Sequence, residues 1–174
     1  TGEGGDNAND QGTVYWVTGL SGAGKTTVGR LLFQRLKESS PKALFLDGDT
    51  LREVFGGDLG YTAGDRKKSA MRNARLCRML AQQGMDVVCC TISMFDAVRD
   101  WNRTNIPRYK EIYLKVPEAV LKERNQKGLY EDAPQELVGF GVAMEEPKAP
   151  DVTVVNDGSK TPEEIAKEIW EMIM

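Results

Sequence analysis

Residues 13–27 read TVYWVTGLSGAGKTT, and this stretch decides the fold. Residues 13–18 are β-branched or aromatic, which predicts a strand. Residues 19–26 match the pattern G-x-x-x-x-G-K-[ST] at every position, and residues 25–37 carry apolar side chains at helical spacing. A strand, a glycine-rich turn and a helix in this order predict a loop whose backbone N–H groups hold phosphate at the helix N-terminus. The alternative is a chance match by an ordinary glycine-rich turn, and the flanking strand and helix disfavour it.

The residues of this phosphate loop are expected to contact different parts of one ligand. The side chain of Lys25 reaches the β- and γ-phosphates of a nucleoside triphosphate, and the hydroxyl of Thr26 is placed for Mg²⁺. We therefore expect ATP and Mg²⁺ to be bound here. The predicted nucleotide-binding residues of the loop are Gly19, Ser21, Gly22, Ala23, Gly24, Lys25, Thr26 and Thr27.

The rest of the chain alternates short apolar runs with amphipathic segments. This alternation is typical of a parallel sheet covered by helices on both faces, so we expect an α/β three-layer sandwich with about five strands. The carboxyl ends of parallel strands share one edge of the sheet, and ligands bind there. On the long helix 65–83 the expected buried side chains are Met71, Ala74, Leu76, Met79 and Leu80. Further strands are predicted over 42–47, 85–93, 111–116 and 152–156, and further helices over 117–124 and 161–174.

Length and composition favour one domain and exclude several kinds of protein. The chain has 174 residues, of which 40% are hydrophobic, and this suits a single core. Residues 1–12, TGEGGDNANDQG, are small, polar and acidic, so we expect a disordered lead-in or a linker from a longer polypeptide, followed by a domain over 13–174. A net charge of -3 argues against nucleic-acid binding, and the apolar runs are too short to cross a membrane.

The histidine and cysteine content limits the chemistry further. The chain has no histidine, which excludes catalytic triads and metal sites built on that residue. Its 3 cysteines lack the Cys-x-x-Cys spacing of a zinc site, and an odd number does not suggest a disulfide scaffold. A reducing, cytoplasmic location therefore fits best.

Two carboxylates follow the second predicted strand. Asp47 and Asp49 flank a glycine there, whereas the strand over 85–93 ends in Thr91-Ile92-Ser93 and lacks the terminal aspartate of a Walker B strand. Because both strands end at the same edge, the carboxylates should lie beside the phosphate loop. One can hold Mg²⁺ through water, and the other can orient or deprotonate an attacking hydroxyl. The structural alternative for Asp49 is a helix cap, which is compatible with catalysis.

Several segments together resemble the adenylylsulfate kinase (APS kinase) family. They are WVTGLSGAGKTT (16–27), LDGDTLR (46–52), DLGYTAGDR (58–66), TIS (91–93), KGLY (127–130) and EEPKAPD (145–151). Many families share the phosphate loop, but DGD-x-x-R together with DLG[FY]-x-x-x-DR and KGLY is much more specific. The resemblance implies the P-loop kinase form of the sandwich. It also implies transfer of the γ-phosphoryl group of Mg·ATP to the 3′-hydroxyl of adenosine 5′-phosphosulfate (APS).

The resemblance also implies roles for individual residues. Asp49 takes the place of a catalytic carboxylate near Mg²⁺, and Thr26 and Asp49 form the expected metal site. Lys25 and Lys127, the latter in a lid, are expected to act on the transferred phosphate, and Arg124 is similar to an arginine that packs on the ATP base. Arg52 and Arg66 resemble the guanidinium groups that hold the acceptor's phosphate, and Tyr61 an aromatic that stacks on the acceptor base. The expected acceptor-side residues are Asp47, Arg52, Tyr61, Arg66, Ser69, Ile92, Ser93, Phe95, Lys127 and Leu137.

The departures from the family pattern cluster on the acceptor side. Ser69 replaces an asparagine, Asp96 replaces an arginine, and Leu137 stands where a second stacking phenylalanine is usual. Arg99 or Arg103 could compensate for the charge reversal at Asp96. The stretch TISMF…WNR (91–103) is similar to a subgroup that phosphorylates cytidine 5′-diphosphoramidate. The acceptor therefore stays open between this compound and APS.

Two other functions stay open at this point. The chain could be a non-catalytic ATP-binding module of a larger protein, or a P-loop kinase for another anionic small molecule. Asp47 and Asp49 argue against the first alternative, since a binding module has little need of a base. Arg52 and Arg66 argue for an anionic acceptor in every case. Because members of the APS kinase family often form dimers, a homodimer is also expected.

Overall fold

Parallel strands form a single sheet through the centre of the molecule. The computed structural model describes residues 11–19, 24–60, 62–92, 94–117, 119–120 and 145–173. Among these residues, the sheet has 5 strands in the order β2-β3-β1-β4-β5, and every neighbouring pair is parallel. The expected parallel α/β sheet is confirmed. The strands are β1 (Val14–Gly19), β2 (Ala43–Asp47), β3 (Asp86–Thr91), β4 (Tyr109–Lys115) and β5 (Val152–Val155).

Helices cover both faces of this sheet. Two of them, α2 and α4, were not predicted. α2 is too short to show a period, and the buried stripe of α4 contains Arg99 and Asn102, so an apolar pattern does not reveal it. Of the predicted helix 117–124, residues 119–120 are helical and Pro117 is not, and residues 118 and 121–124 lie outside the described residues. The bounds are α1 Lys25–Ser39, α2 Gly48–Val54, α3 Ala63–Gln82, α4 Asp96–Asn105 and α5 Pro162–Ile173.

Two core clusters lie on opposite faces of the sheet. Along β1, Tyr15 and Val17 face the layer of α1 and α5, whereas Val14 and Trp16 face the layer of α3 and α4. Alternate side chains of a strand point to opposite faces, so an apolar strand serves both clusters at once. The three-layer arrangement is therefore confirmed.

The buried face of α3 differs from the expected one. Met79 was expected to be buried, but its side chain is 47% exposed. The helix lies close to the sheet through small side chains, and the larger Met71, Leu76 and Leu80 are half-buried at the sides of that face. A pattern weighted by large apolar residues therefore placed the buried stripe too far round the helix. The buried residues are Ala70, Asn73, Ala74, Cys77 and Ala81.

The folded part of the chain begins earlier than expected. Gln11 is 6% exposed, its carbonyl accepts a hydrogen bond from Arg108, and the Gly12 N–H donates to the carbonyl of Ala81. A Cβ at Gly12 would overlap the carbonyl oxygen of Met85, so only glycine fits this close approach. The lead-in predicted over 1–12 is thus two residues too long at its carboxyl end, and residues 1–10 lie outside the described part.

No helix among the described residues is both long enough and apolar enough to cross a membrane.

Candidate active site

The carboxyl ends of β1, β2 and β3 surround one cleft. Its volume is about 300 Å³. Three segments that are far apart in the sequence meet here because their strands are neighbours in the parallel sheet. Of the predicted site residues that the structure describes, Gly24–Thr27, Asp47, Asp49 and Ile92 therefore come together at this cleft. The lining residues are Gly24, Lys25, Thr26, Thr27, Asp47, Gly48, Asp49, Cys90, Thr91 and Ile92.

The start of α1 is formed as an anion site. Gly24 has a φ of 83°, in the left-handed region that glycine adopts without strain, and it is the N-cap of the helix. Glycine has no side chain that could cap the helix, so the first N–H groups of α1, which lie at the wall of the cleft, have no side-chain acceptor from the cap. The loop residues Ser21, Gly22 and Ala23 lie outside the described residues, while Gly19 ends β1.

Lys25 is buried at the base of the cleft, with 8% of its surface exposed. Burial lowers the pKa of its ammonium group to about 8, and the carboxylates of Asp49 and Asp47 act in the opposite direction. The Cys90 thiol donates to the Lys25 main-chain carbonyl at 3.4 Å, which ties the first turn of α1 to β3. A lysine this poorly solvated gains most from an arriving phosphate, since the anion restores the charge balance that water no longer supplies.

The two carboxylates have different surroundings. The Thr26 hydroxyl donates to Asp47 Oδ1 at 3.2 Å, and Asp47 makes no side-chain cap bond to α2 although it is the N-cap residue. Asp49 lies in the first turn of α2, is exposed, and lines the same cleft. Asp47 is thus the carboxylate that accepts a bond from the hydroxyl predicted to bind Mg²⁺, and the metal contact predicted for Asp49 stays a prediction.

The oxygen atoms at Thr26 and Asp47 suit magnesium. Mg²⁺ prefers hard oxygen ligands and is usually held by one or two protein groups together with substrate phosphates and water. Within the described residues no cluster of three or more acidic, cysteine or histidine side chains could enclose a metal. The donor set therefore fits a magnesium ion that enters with its nucleotide, and Thr26, Asp47 and Asp49 would hold it.

The predicted acceptor residues lie on two neighbouring helices and the end of β3. Arg52 on α2 donates to the carbonyls of Leu59 and Gly60, the latter at 3.3 Å. Arg66 and Ser69 lie in the first turns of α3 and are half-buried. Ile92 lines the cleft. The predicted residues Tyr61, Ser93, Arg124, Lys127 and Leu137 lie outside the described residues.

Phe95 lies in the core beneath the acceptor side. It is 8% exposed and packs in the cluster between the sheet and the layer of α3 and α4, together with Val98 and Tyr109. It does not line the cleft. Its surroundings indicate a packing role, and contact with an acceptor stays a prediction.

The charge reversal at Asp96 is balanced by its neighbours. Arg99 donates to Asp96 at 2.7 Å, and Lys148 lies 3.3 Å from the other carboxylate oxygen. The hydrogen bond from Arg99 is the main cause that keeps the pKa of Asp96 below its usual range. Arg99 is 3% exposed and also donates to the carbonyl of Glu145, whose N–H bonds to Met94. Arg99 therefore neutralises Asp96 and fastens the segment after residue 144.

Arg103 has a different set of partners. It donates to the Ala149 carbonyl at 2.7 Å and lies 3.3 Å from Asp151 and 3.6 Å from Glu111. These contacts connect α4 to the segment that precedes β5, and none of them is made to a predicted acceptor-side residue. The sequence analysis had named Arg99 as one of two arginines that could compensate for Asp96, but it did not foresee the contacts of this pair with Glu145 and Lys148. Glu145 and Lys148 belong to the segment EEPKAPD (145–151). An aspartate at position 96, where the family usually has an arginine, together with a lysine in that segment, was the signal that could have predicted this ion pair.

Comparisons with known proteins agree with this site. The family model described as adenylylsulphate kinase matches residues 11–155. The cytidine diphosphoramidate kinase of Campylobacter jejuni is 39% identical over 140 residues, covering 78% of this chain and 82% of that protein. The adenylyl-sulfate kinase of Halothermothrix orenii is 36% identical over 169 residues, covering 95% of this chain and 91% of that protein.

A solved structure agrees at the level of the fold. The Mycobacterium tuberculosis APS kinase CysC, in complex with AMPPNP and APS, has a TM-score of 0.81 to this chain at 29% identity, covering 94% of this chain and 98% of that one. The region matched by the family model, residues 11–155, contains the phosphate loop, both aspartates and the predicted acceptor-side helices. The chain belongs to the adenylylsulfate kinase family and is an ATP- and Mg²⁺-dependent kinase that acts on a nucleotide derivative.

Proposed function

We propose that this chain transfers the γ-phosphoryl group of Mg·ATP to the ribose 3′-hydroxyl of a nucleoside that carries a 5′ mixed anhydride. The observation that carries the proposal is the convergence of Lys25, Thr26, Asp47 and Asp49 on one cleft at the sheet edge. A phosphoryl donor needs the first two residues, and an alcohol acceptor needs a positioned carboxylate as well.

Each residue then has a distinct task. Lys25 and the N–H groups of α1 bind the phosphates, and Asp47 with Thr26 holds the magnesium ion, which neutralises phosphate charge when it is bound. Asp49 takes the proton of the attacking hydroxyl as the acceptor oxygen bonds to phosphorus and ADP leaves. Arg52 and Arg66 bind the acceptor's phosphate. The tasks given to Arg124 and Lys127, on the ATP base and the transferred phosphate, stay predictions.

Two acceptors fit this proposal, APS and cytidine 5′-diphosphoramidate. Both carry an anionic 5′ group and a free ribose hydroxyl. Position 96 carries an aspartate that is paired with Arg99 and Lys148 instead of the arginine usual in the family, and this favours an acceptor other than APS. The 39% identity to a cytidine diphosphoramidate kinase supports the same choice. We therefore place cytidine 5′-diphosphoramidate first and APS second.

ADP release over a panel of acceptors tests the proposed function. The panel contains cytidine 5′-diphosphoramidate, APS, CDP, nucleoside monophosphates and gluconate, each with Mg·ATP. We expect turnover with one of the first two compounds and a product phosphorylated at the 3′ position. Turnover restricted to gluconate or a monophosphate would favour another P-loop kinase activity. ATP binding without turnover on any acceptor would favour a non-catalytic module.

Asp49→Asn tests the proposed base. This change keeps the size of the side chain and removes its capacity to accept a proton. We expect kcat to fall roughly 10²- to 10⁴-fold, with ATP affinity largely unchanged. Lys25→Ala serves as the contrasting variant, since it should weaken ATP binding as well as turnover. Full activity of Asp49→Asn would exclude Asp49 as the base.

The assembly and location of the protein are part of the proposal. We propose a homodimer in the cytoplasm, and residues 1–10 as the place where a fusion to a longer polypeptide would join. Sedimentation analysis of the purified chain tests the dimer, and a single species at the monomer mass would exclude it.

A further inference from the structure

Three buried polar atoms in the layer between the sheet and the helices α3 and α4 have no hydrogen-bond partner among the described residues. They are the indole Nε1 of Trp16 on β1, the Oδ1 of Asn73 on α3 and the Oδ1 of Asn102 on α4. Trp16 and Asn102 are fully buried, and Asn73 is 2% exposed. Buried polar atoms of folded proteins are in the large majority bonded to the protein or to ordered water. Three exceptions in one layer point to a partner that they share.

The strand register places Trp16 beneath the seam between α3 and α4. Its neighbours across the sheet are Cys89 on β3 and Glu111 on β4. The thiol of Cys89 is hydrogen-bonded to that of Cys77 on α3, so this helix lies over the β3 side of Trp16. Asn73 lies four residues before Cys77 on the same buried side of α3. Residues at this spacing are neighbours on one face of a helix, so Asn73 also faces this part of the sheet.

Asn102 approaches Trp16 from the β4 side. Its Nδ2 atom donates to the Tyr109 hydroxyl at 3.4 Å, and that hydroxyl donates to Glu111 Oε1 at 2.7 Å. Because Glu111 is the neighbour of Trp16 on β4, helix α4 lies over this side of the indole. Trp16 therefore has an asparagine of α3 on one side and an asparagine of α4 on the other.

A contact between the two helices sets the heights of these asparagines. The Nε atom of Arg78 on α3 donates to the main-chain carbonyl of Asn105 at the end of α4, at 3.2 Å. Both helices lead into strands of the parallel sheet, so they run in the same direction. Counted back from this contact, Asn73 lies about 7.5 Å and Asn102 about 4.5 Å along its own helix axis. The two asparagines thus lie at similar heights on either side of the seam.

The three atoms together complement one water molecule. The indole N–H of Trp16 can only donate a hydrogen bond, and the two Oδ1 atoms can only accept one. The orientation of the Asn102 amide is fixed, because the Tyr109 hydroxyl gives its proton to Glu111 and can only accept from Asn102. A water molecule that accepts one bond and donates two satisfies this set. The indole N–H would repel a cation, and the two amide oxygens would repel an anion.

We propose that Trp16, Asn73 and Asn102 form a binding site for a single internal water, which joins β1 to both α3 and α4. The water accepts a bond from the indole and donates one to each asparagine. Because β1 ends at Gly19, the first residue of the phosphate loop, the water connects the strand that carries this loop to the two helices on this face of the sheet. The site has room beside α3, where the buried neighbours of Asn73 are the small residues Ala70, Ala74 and Cys77.

A high-resolution crystal structure and NMR of the wild-type chain test the site. We expect one ordered water within hydrogen-bond distance of the Trp16 Nε1 atom and of both Oδ1 atoms. In solution the Trp16 indole proton should show a nuclear Overhauser effect to a long-lived water, whereas the half-buried Trp101 and Trp170 should not. Trp16→Phe identifies the signal among the 3 tryptophans of the chain. A direct bond from the Trp16 indole to either asparagine, or a water that contacts only one of the three atoms, would overturn the inference.

Asn73→Leu tests the contribution of one acceptor. Leucine keeps the size of the side chain but leaves one O–H of the water unpaired, so the water contact of the Trp16 indole should be lost. Asn105→Leu is the matched control, because Asn105 is half-buried on α4 and its Nδ2 donates to the Trp101 carbonyl at 2.8 Å. The control should keep the contact. A contact that persists in Asn73→Leu would exclude Asn73 from the site, and if this variant does not fold, the wild-type measurements decide. Neither measurement needs an acceptor or turnover, so both stand apart from the proposed function.

Discussion

At the scale of single residues, Asp47 and Asp49 show how two identical side chains acquire different tasks. Asp47 ends β2 and faces the Thr26 hydroxyl, while Asp49 lies in the first turn of α2 on the open side of the cleft. The turn between a strand and a helix separates the two carboxylates, although only Gly48 lies between them in the chain. The position of Asp47 suits a metal ligand or an acceptor of bonds from metal-bound water, and that of Asp49 suits a base.

Asp47→Asn should weaken the response to magnesium. Removal of the charge beside Thr26 should raise the Mg²⁺ concentration for half-maximal activity roughly tenfold or more. Titration of activity against Mg²⁺ at saturating ATP measures this shift. Asp49→Asn should show the smaller shift of the two. The reverse order would return the main metal contact to Asp49.

Lys25 predicts how ATP binding depends on pH. Its pKa near 8 lies below the ordinary value of 10.5 because burial disfavours the charged form. Only the protonated amine attracts the phosphates, so kcat/KM for ATP should be constant below about pH 7 and fall roughly tenfold per unit well above pH 8. A bound phosphate favours the charged amine, so the matching decrease in kcat should occur at higher pH.

The lowered pKa of Lys25 should make the free energy of unfolding rise with pH, whereas kcat/KM for ATP falls. Between about pH 8 and 10.5 the unfolded chain binds the proton and the folded chain does not, so this group's contribution to stability rises with pH across that window.

Lys25→Arg is the control for the pH profile of kcat/KM, since arginine stays charged throughout. A pH profile of kcat/KM that is the same in Lys25→Arg and the wild type would exclude Lys25 as the titrating group.

At the scale of elements, the contact between α1 and β3 sets the position of the phosphate loop. Gly29 lies on the buried side of α1, and a Cβ there would overlap the Cys90 sulfur and come within 3.3 Å of Phe45. The same cysteine donates to the carbonyl of Lys25 one turn earlier. A small residue at position 29 is thus needed for the helix to lie low enough on the sheet.

Gly29→Ala should destabilise the domain despite alanine's better helix propensity. The gain of about 0.5–1 kcal/mol from propensity is smaller than the roughly 1–3 kcal/mol cost of overpacking. We expect a net loss of about 1–2 kcal/mol in the free energy of unfolding, measured by denaturant titration. Gly64→Ala is the control, since it lies on α3 with open space around it and should stabilise the domain.

A second substitution tests the cause of that loss. Cys90→Ala removes the sulfur that the new methyl group would meet. In the double variant with Gly29→Ala the two effects should be non-additive, and the double variant should recover most of the stability that Gly29→Ala loses. Additive losses would show that the sulfur contact is not the reason why position 29 is glycine.

At the scale of the whole molecule, α4 joins the acceptor side to the chain that returns after residue 144. Arg99 binds Asp96 on its own helix and the carbonyl of Glu145, and Lys148 forms an ion pair with Asp96. Met94, just before α4, accepts a bond from Glu145 and contacts the Thr18 hydroxyl of β1 through its sulfur at 3.6 Å. These contacts therefore connect position 96 to β1 and to the segment that precedes β5.

Asp96→Arg, which restores the residue usual in the family, should destabilise this protein. The new arginine would place a third cation beside Arg99 and Lys148 and leave the buried Arg99 without its carboxylate. Because Asp96 is 22% exposed, we expect a loss of roughly 2 kcal/mol, less than for a fully buried pair. Asp100→Arg, on the exposed side of α4, should change stability little. Equal effects of the two changes would mean that the ion pair does not govern position 96.

The local pattern of the chain determined the fold and half of the site. Residues 13–27 contain a strand, a turn and a helix in order, and each is specified by the spacing of its own side chains. The parallel sheet and the phosphate loop follow, since strand, turn and helix signals extend over only a few residues. Close packing through small residues was harder to predict, because it depends on how closely two elements approach. Gly12 lies against the Met85 carbonyl, and Met79 is exposed because α3 packs on the sheet through smaller side chains.

Only the tertiary structure decided which charged groups are partners. Asp47 rather than Asp49 accepts the bond from Thr26, Arg99 neutralises Asp96, and Arg72 forms an ion pair with Asp58. The sequence alone predicted that this chain binds ATP and favoured transfer of a phosphoryl group to an anionic acceptor, because that chemistry is carried by short motifs. It could not determine which charged side chains pair, because several side chains of similar charge are candidates for each partner. The distances between elements in the folded chain decide which pair forms.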